Sequence, residues 1–179
     1  GEGELAILEF LESFEKKEEY WKTKNFWFKH EGQTFKNPLN NLISNLDVLP
    51  AIDYELFDID KYVNVRSGQL DYVSARGCPF ACSYCVNHTL MNLNKDLGIY
   101  ARRKSAKKMI EELKEIKNRF PLVKYLKIAD EHFIINKVRL KELAKSYNTE
   151  IGLAFECDVR ADFCDEETIK TLKEMGCDK

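Results

Sequence analysis

The chain has 179 residues, 44% of them hydrophobic, with 28 Lys and Arg against 30 Asp and Glu for a net charge of -2. That is enough for one ordinary core, and the near-neutral balance argues against a general polyanion binder. No apolar run approaches the roughly 18 residues that read as a membrane span, and Gly1-Glu2-Gly3-Glu4 lacks the pattern of a secretion signal, so the expectation is a soluble, cytoplasmic protein.

Residues 5–20 read as a helix with Leu8, Leu11 and Phe14 on one face and Glu and Lys opposite. Residues 25–30 are aromatic and extended, Glu31-Gly32 supplies a turn, and residues 33–36 return as a second strand. Trp21, Trp27 and Phe28 read as packing residues. Residues 37–66 hold Pro38, Pro50 and several Asn with little period, and read as a connector with short helical pieces around residues 52–61.

From there the pattern changes. Residues 70–75 form a short strand that ends at Arg76-Gly77. Ser105 is a candidate N-cap for a helix to Phe120, striped by Met109, Ile110, Leu113 and Ile116. Residues 122–129 are a strand, Asn136 caps a helix through Tyr147, and residues 150–157 are a strand. Asp165 caps a helix to Met175 with Gly176 as its stop, and Cys177 begins a further strand. Such β-α repetition demands parallel strands joined by right-handed crossovers. Functional groups then gather where strands end. Three places satisfy that rule: the loop after Gly77, Asp130-Glu131-His132, and residues 158–162. About three such units fall short of the roughly 250 residues of a closed barrel, and the expectation is part of a longer polypeptide.

Six cysteines are present. Cys78, Cys82 and Cys85 stand in the spacing C-x3-C-x2-C, while Cys157, Cys164 and Cys177 are scattered through core-like segments. Three thiolates on one short loop can hold three irons of a 4Fe–4S cube and leave the fourth open for chemistry, as a catalytic zinc keeps one exchangeable position. With His88 three residues later, the same cysteines could instead close a structural Cys3His zinc site and make an interaction module.

The motif, with Tyr84 just before the third cysteine, resembles the signature of radical S-adenosylmethionine (SAM) enzymes. Further stretches resemble the members that carry a cobalamin-binding domain: Gly1-Glu2-Gly3-Glu4 with its helix, Asn45-Leu46-Asp47-Val48-Leu49-Pro50, Tyr100-Ala101-Arg102-Arg103-Lys104-Ser105, Ala129-Asp130-Glu131-His132-Phe133, and Leu172-Lys173-Glu174-Met175-Gly176-Cys177. The resemblance implies an α/β fold, a partial, truncated TIM-like (β/α) barrel with an N-terminal helix and hairpin extension. Residues 1–20 would be the tail of a cobalamin-binding Rossmann-like domain, 21–66 a linker with a small hairpin, and 67–179 the N-terminal half of the barrel.

It also implies a 4Fe–4S cluster on Cys78, Cys82 and Cys85, with SAM as co-substrate and reductive cleavage to a 5′-deoxyadenosyl radical. Tyr84 and Phe80 would lie by the adenine. Asp130 and Glu131 stand where many members have Gly-Gly-Glu, which binds the SAM amino group; this chain has no Gly there. Glu156 and Arg160 would meet the ribose or the SAM carboxylate. Cobalamin is expected of the parent protein, for a methylation, cyclisation or rearrangement of a small-molecule substrate, with a flavodoxin or ferredoxin as electron donor.

Other readings attach to the same residues. A cobalamin-independent, RNA-modifying member is the alternative within the family. Nucleic acid is disfavoured, because members that methylthiolate transfer RNA carry a cysteine-bearing domain before the core and no cysteine precedes Cys78 here. Arg102, Arg103, Lys104, Lys107 and Lys108 could grip phosphates but read as a solvated helix face. Asp130 and Glu131 could simply cap a helix, His30 and His132 read as structural, and Cys157, Cys164 and Cys177 as inert.

Overall fold

The computed structural model describes residues 2–179. Helix α1 (Glu4–Glu15) leads to an antiparallel hairpin of β1 (Trp27–His30) and β2 (Gln33–Lys36). Single 3-10 turns at Leu46–Val48 and Tyr54–Leu56 precede α2 (Ile59–Val65), then β3 (Gln69–Tyr72) and β4 (Ala75–Arg76). Helix α3 (Val86–Leu93) and β5 (Arg102–Arg103) follow. The remainder is α4 (Ala106–Arg119), β6 (Tyr125–Ile128), α5 (Lys137–Glu150), β7 (Ala154–Cys157) and α6 (Glu166–Glu174).

Two compact units result. One holds residues 2–44 and 80–100, the other residues 45–79 and 101–179. In the first, Phe10, Phe14, Tyr20, Phe26 and Phe28 form an aromatic cluster with neighbouring ring centroids 5.3–6.0 Å apart. Trp21 stacks on His30 at 4.0 Å. The hairpin turns through Glu31 (φ 48°) and Gly32 (φ 79°), the positive-φ pair that a two-residue type I′ loop requires. The Leu42 amide donates to the Leu97 carbonyl at 2.7 Å and joins residues 80–100 to this unit.

The second unit carries a three-stranded sheet in the order β3-β6-β7, parallel throughout, with Leu70 beside Leu126 and Leu126 beside Phe155. Leu70, Tyr72, Leu126, Ile128 and Phe155 are buried, and they share a core with Met109, Ile110, Leu113 and Ile116 of α4 and Leu140, Leu143 and Tyr147 of α5. Each such side chain contributes about 1.5–3 kcal/mol. The intervening residues Gln69, Asp71, Lys127 and Glu156 are only half-buried, so the sheet has an apolar face and a polar one. The caps fall where expected: Ser105, Asn136 and Asp165 accept from the amides of Lys108, Arg139 and Thr168.

Several elements differ from the sequence expectation. Helix α1 stops at Glu15 because Lys17 turns into the left-handed region (φ 58°), and its face of Leu8, Leu11 and Phe14 is exposed rather than core. Trp27 is 68% exposed, under the Lys36 ammonium at 4.9 Å. Helix α5 continues to Glu150, closed by Gly152 (φ 62°), which delays the next strand to Ala154. Cys177 makes a single parallel bridge to Phe155. The strand expected over residues 70–75 is broken: β3 ends at Tyr72, and residues 75–76 leave the sheet to pair antiparallel with Arg102–Arg103.

The core also contains charge. Glu112 on α4 is 6% exposed and accepts from the Tyr72 hydroxyl at 2.7 Å and from the Lys104 ammonium at 2.6 Å. Burial, then the Glu112 carboxylate, pushes the Tyr72 hydroxyl far above its ordinary range. Removing one partner strands the other in a medium that solvates it poorly. Glu112→Ala should therefore lower unfolding free energy by about 3–5 kcal/mol in urea titration, whereas removal of the exposed Glu111, which pairs with Lys107 at 3.8 Å, should change it by under ~1 kcal/mol.

Candidate functional site

Because the three strands are parallel, their C-terminal ends share one side of the sheet. Ser74, just past β3 and fully buried, organises that side. Its amide and hydroxyl donate to the two oxygens of Asp130 at 2.6 and 2.5 Å, and the Ala75 amide adds a third bond at 2.9 Å. The Ser74 hydroxyl accepts from Arg139 of α5 at 2.7 Å, and its carbonyl accepts from the Lys104 amide at 2.8 Å. The Arg139 Nε donates to the Lys104 carbonyl at 2.8 Å. Asp130, just past β6, is thus a fully buried anion that holds the backbone from which the cysteine loop departs. Arg139, lowered by burial and sustained chiefly by Asp130, balances its charge.

From this anchor the chain runs through β4 and Gly77 (φ 73°) to Cys78, which is half-buried. The boundary between the two compact units falls between Pro79 and Phe80. In the other unit, the Cys85 amide donates to the Cys82 carbonyl at 3.0 Å, a tight turn that sets both cysteines, each half-buried, ahead of α3. Cys85 is the first residue before that helix and makes no side-chain capping bond. Tyr84 is 91% exposed and Phe80 half-buried. His88 faces Asn92 one turn on, with 3.1 Å between Nε2 and Nδ2. The buried Asn87 accepts from Tyr100 at 3.0 Å.

The remaining candidates sit at the strand ends of the second unit. Asp130 does not cap a helix, and both of its oxygens are taken by Ser74 and Ala75. Glu131 is exposed. Glu156 is paired with Lys127 across the sheet at 3.7 Å. Arg160 makes a two-pronged contact with Asp162 at 3.0 and 2.7 Å. His132 is 2% exposed, its ring edge-on to Phe163 at 4.7 Å, and burial followed by the charges of Arg103 and Arg160 lowers its pKa. Lys104 and Arg102 are 8% and 7% exposed, a correction to the solvated-face reading, which holds for Lys107 alone among the fully exposed members of that run.

None of the six cysteines is in a disulfide. Cys157, Cys164 and Cys177 line one groove of about 520 Å³. The sulfurs of Cys157 and Cys177 are 3.8 Å apart. Their shared hydrogen bond pushes Cys157 up and pulls Cys177 down to about 7, and all three cysteines are partly buried against the core.

Among the described residues, no three His, Cys, Asp or Glu side chains are gathered as ligands of a single metal ion. A cube asks for something else: its thiolates bind different irons and need not converge on one point. The donor set suits it, with three thiols on one short loop, none used in a disulfide or a helix cap.

Residues 72–179 match the family model described as the Radical SAM superfamily. The chain belongs to the radical SAM superfamily. This radical SAM chain is also 28% identical over 180 residues to a protein named "Uncharacterized methyltransferase PH0819" from Pyrococcus horikoshii; the alignment covers 99% of the chain and 37% of that relative. The chain therefore spans little more than a third of the curated relative that it matches. Among solved structures it is similar, at a TM-score of 0.69 and 15% identity, to the radical SAM methyltransferase TsrM from Kitasatospora setae with cobalamin and a [4Fe-4S] cluster bound. That match covers 99% of the chain and 35% of TsrM and shows a common fold.

Removing the Asp130 charge while keeping its shape should loosen the anchor locally. Asp130→Asn should cost about 1.5–3 kcal/mol, the range for hydrogen bonds to a charged group. Hydrogen exchange should be faster at the Ser74 and Ala75 amides than at Leu126 in the middle of the sheet.

Proposed function

We propose that the chain is the cluster-holding segment of a radical SAM methyltransferase that works with cobalamin carried elsewhere in the parent protein. The observation that carries this reading is the Cys78-x3-Cys82-x2-Cys85 loop within the residues that match the family. The relative named a methyltransferase and the cobalamin-bearing neighbour support the finer part of it. On this reading residues 67–179 are the first half of a (β/α) barrel, 21–66 a linker and 1–20 the tail of the cobalamin-binding domain.

Cys78, Cys82 and Cys85 would hold the 4Fe–4S cluster. When bound, that group supplies the electron that cleaves SAM and gives the 5′-deoxyadenosyl radical. The protein's part is positioning. The Ser74–Asp130 anchor fixes the start of the loop, and the Cys82–Cys85 turn fixes its end. Tyr84 and Phe80 offer apolar surface to an adenine. Glu131 is exposed and acceptor-only, suited to an ammonium; Asp130 would have to give up backbone bonds to do the same. Glu156 and Arg160 would serve ribose and carboxylate by exchanging their present partners Lys127 and Asp162. The substrate is a small molecule, and the electron donor is a flavodoxin or ferredoxin.

Anaerobic reconstitution of the intact protein with iron and sulfide tests this directly. The wild type should bind about four irons and four sulfides per chain. Cys78→Ala, Cys82→Ala and Cys85→Ala should each lose most of both, whereas Cys164→Ala should keep them. Zinc with no inorganic sulfide would overturn the reading.

A further inference from the structure

Arg103 is a half-buried cation whose guanidinium is only partly matched among the described residues. It lies on β5 opposite Ala75 of β4, and Ala75 is three residues ahead of Cys78 in the chain. Its Nε is buried and, among the described residues, has no hydrogen-bond partner. Leaving an N–H of a guanidinium unmatched is costly, and Arg103 is correspondingly lowered by burial; the charges that oppose this are those of Asp130, Cys78 and Glu131.

The neighbouring charges are already matched. Asp130 has both oxygens occupied and is balanced by the more deeply buried Arg139. Lys104 is balanced by Glu112 at 2.6 Å. Glu131 is exposed, where water weakens its pull. Neither Asp130 nor Glu131 is therefore a dedicated counter-charge for Arg103, and Cys78 lies within its electrostatic reach. Three thiolates outweigh the charge of an iron–sulfur core, and reduction adds one more negative charge. Nearby charge and hydrogen bonding are among the quantities that set the potential of such centres.

We propose that Arg103 is a fixed cation at the Cys78 corner of the cluster, a positioning residue that stabilises the reduced cluster and raises its midpoint potential. The step it influences is a one-electron reduction by the external flavodoxin- or ferredoxin-type donor, with no bond made and no proton moved. This rests on the cluster reading above. Its failure is distinguishable: a wild type that binds no cluster defeats that reading, whereas a loaded wild type with indifferent Arg103 variants defeats only this one.

The test is a redox titration followed by electron paramagnetic resonance on the reconstituted intact protein, comparing wild type with Arg103→Met, Arg103→Gln and Arg103→Lys. Iron and sulfide content are measured on every sample. The neutral variants should load the cluster and shift its midpoint to more negative potential, and Arg103→Lys, which keeps the charge, should stay near the wild type. Unmoved potentials in loaded neutral variants, or a Lys variant displaced as far as the Met variant, would overturn the proposal. So would loss of cluster from all three, which would make Arg103 a folding residue. Should only one neutral variant load, its potential decides.

Discussion

One buried carboxylate governs the geometry of the strand ends. Asp130 leaves β6 with no exposure and accepts three hydrogen bonds from Ser74 and Ala75. An ionised group in that position is tolerable because both oxygens accept hydrogen bonds and Arg139 supplies the opposite charge. The consequence reaches beyond the pair. Ser74 also takes Arg139 on its hydroxyl and Lys104 on its carbonyl, so the exits of β3, β5 and β6 and the first turn of α5 are tied at a single residue. The chain leaves that knot as β4 and arrives, two residues past it, at Cys78.

This arrangement explains how an irregular loop can be anchored to a regular sheet. The apolar face of the strands packs on α4 and α5 and stabilises the fold in the ordinary way. The polar face carries Asp71, Lys127 and Glu156 in one row across the three strands. Beside these layers lie two buried charge clusters, Asp130 with Arg139 at the strand ends and Glu112 with Lys104 on the α4 side. Both connect α4 or α5 to the segment that precedes the cysteines. A fold that needed only stability would do as well with apolar residues there.

Much of this was legible in the sequence. The helices capped by Ser105, Asn136 and Asp165 were, because capping chemistry and the 3.6-residue stripe agree. So was the cysteine loop, since its spacing is independent of tertiary context, and so was the parallel order of the strands, which β-α alternation imposes. The break after Tyr72 was not, because β4 and β5 have two residues each and owe their pairing to partners distant in sequence. Lys104 and Arg102 looked solvated for a related reason: a basic run before a helix is usually exposed, and only the distant Glu112 takes the Lys104 ammonium inside. Ser74 and Arg139 carried no local signal at all. The exposed Leu8 and Leu11 misled in the opposite direction, since a hydrophobic stripe announces burial without naming what covers it.

The central claim is a cluster with three protein thiolates and one iron left for SAM. Mössbauer spectroscopy of intact protein reconstituted with ⁵⁷Fe, recorded before and after addition of SAM, addresses it most directly. The account predicts that one of the four irons changes its spectrum on binding SAM while the other three do not. A cluster whose four irons all remain unaltered at saturating SAM would contradict it.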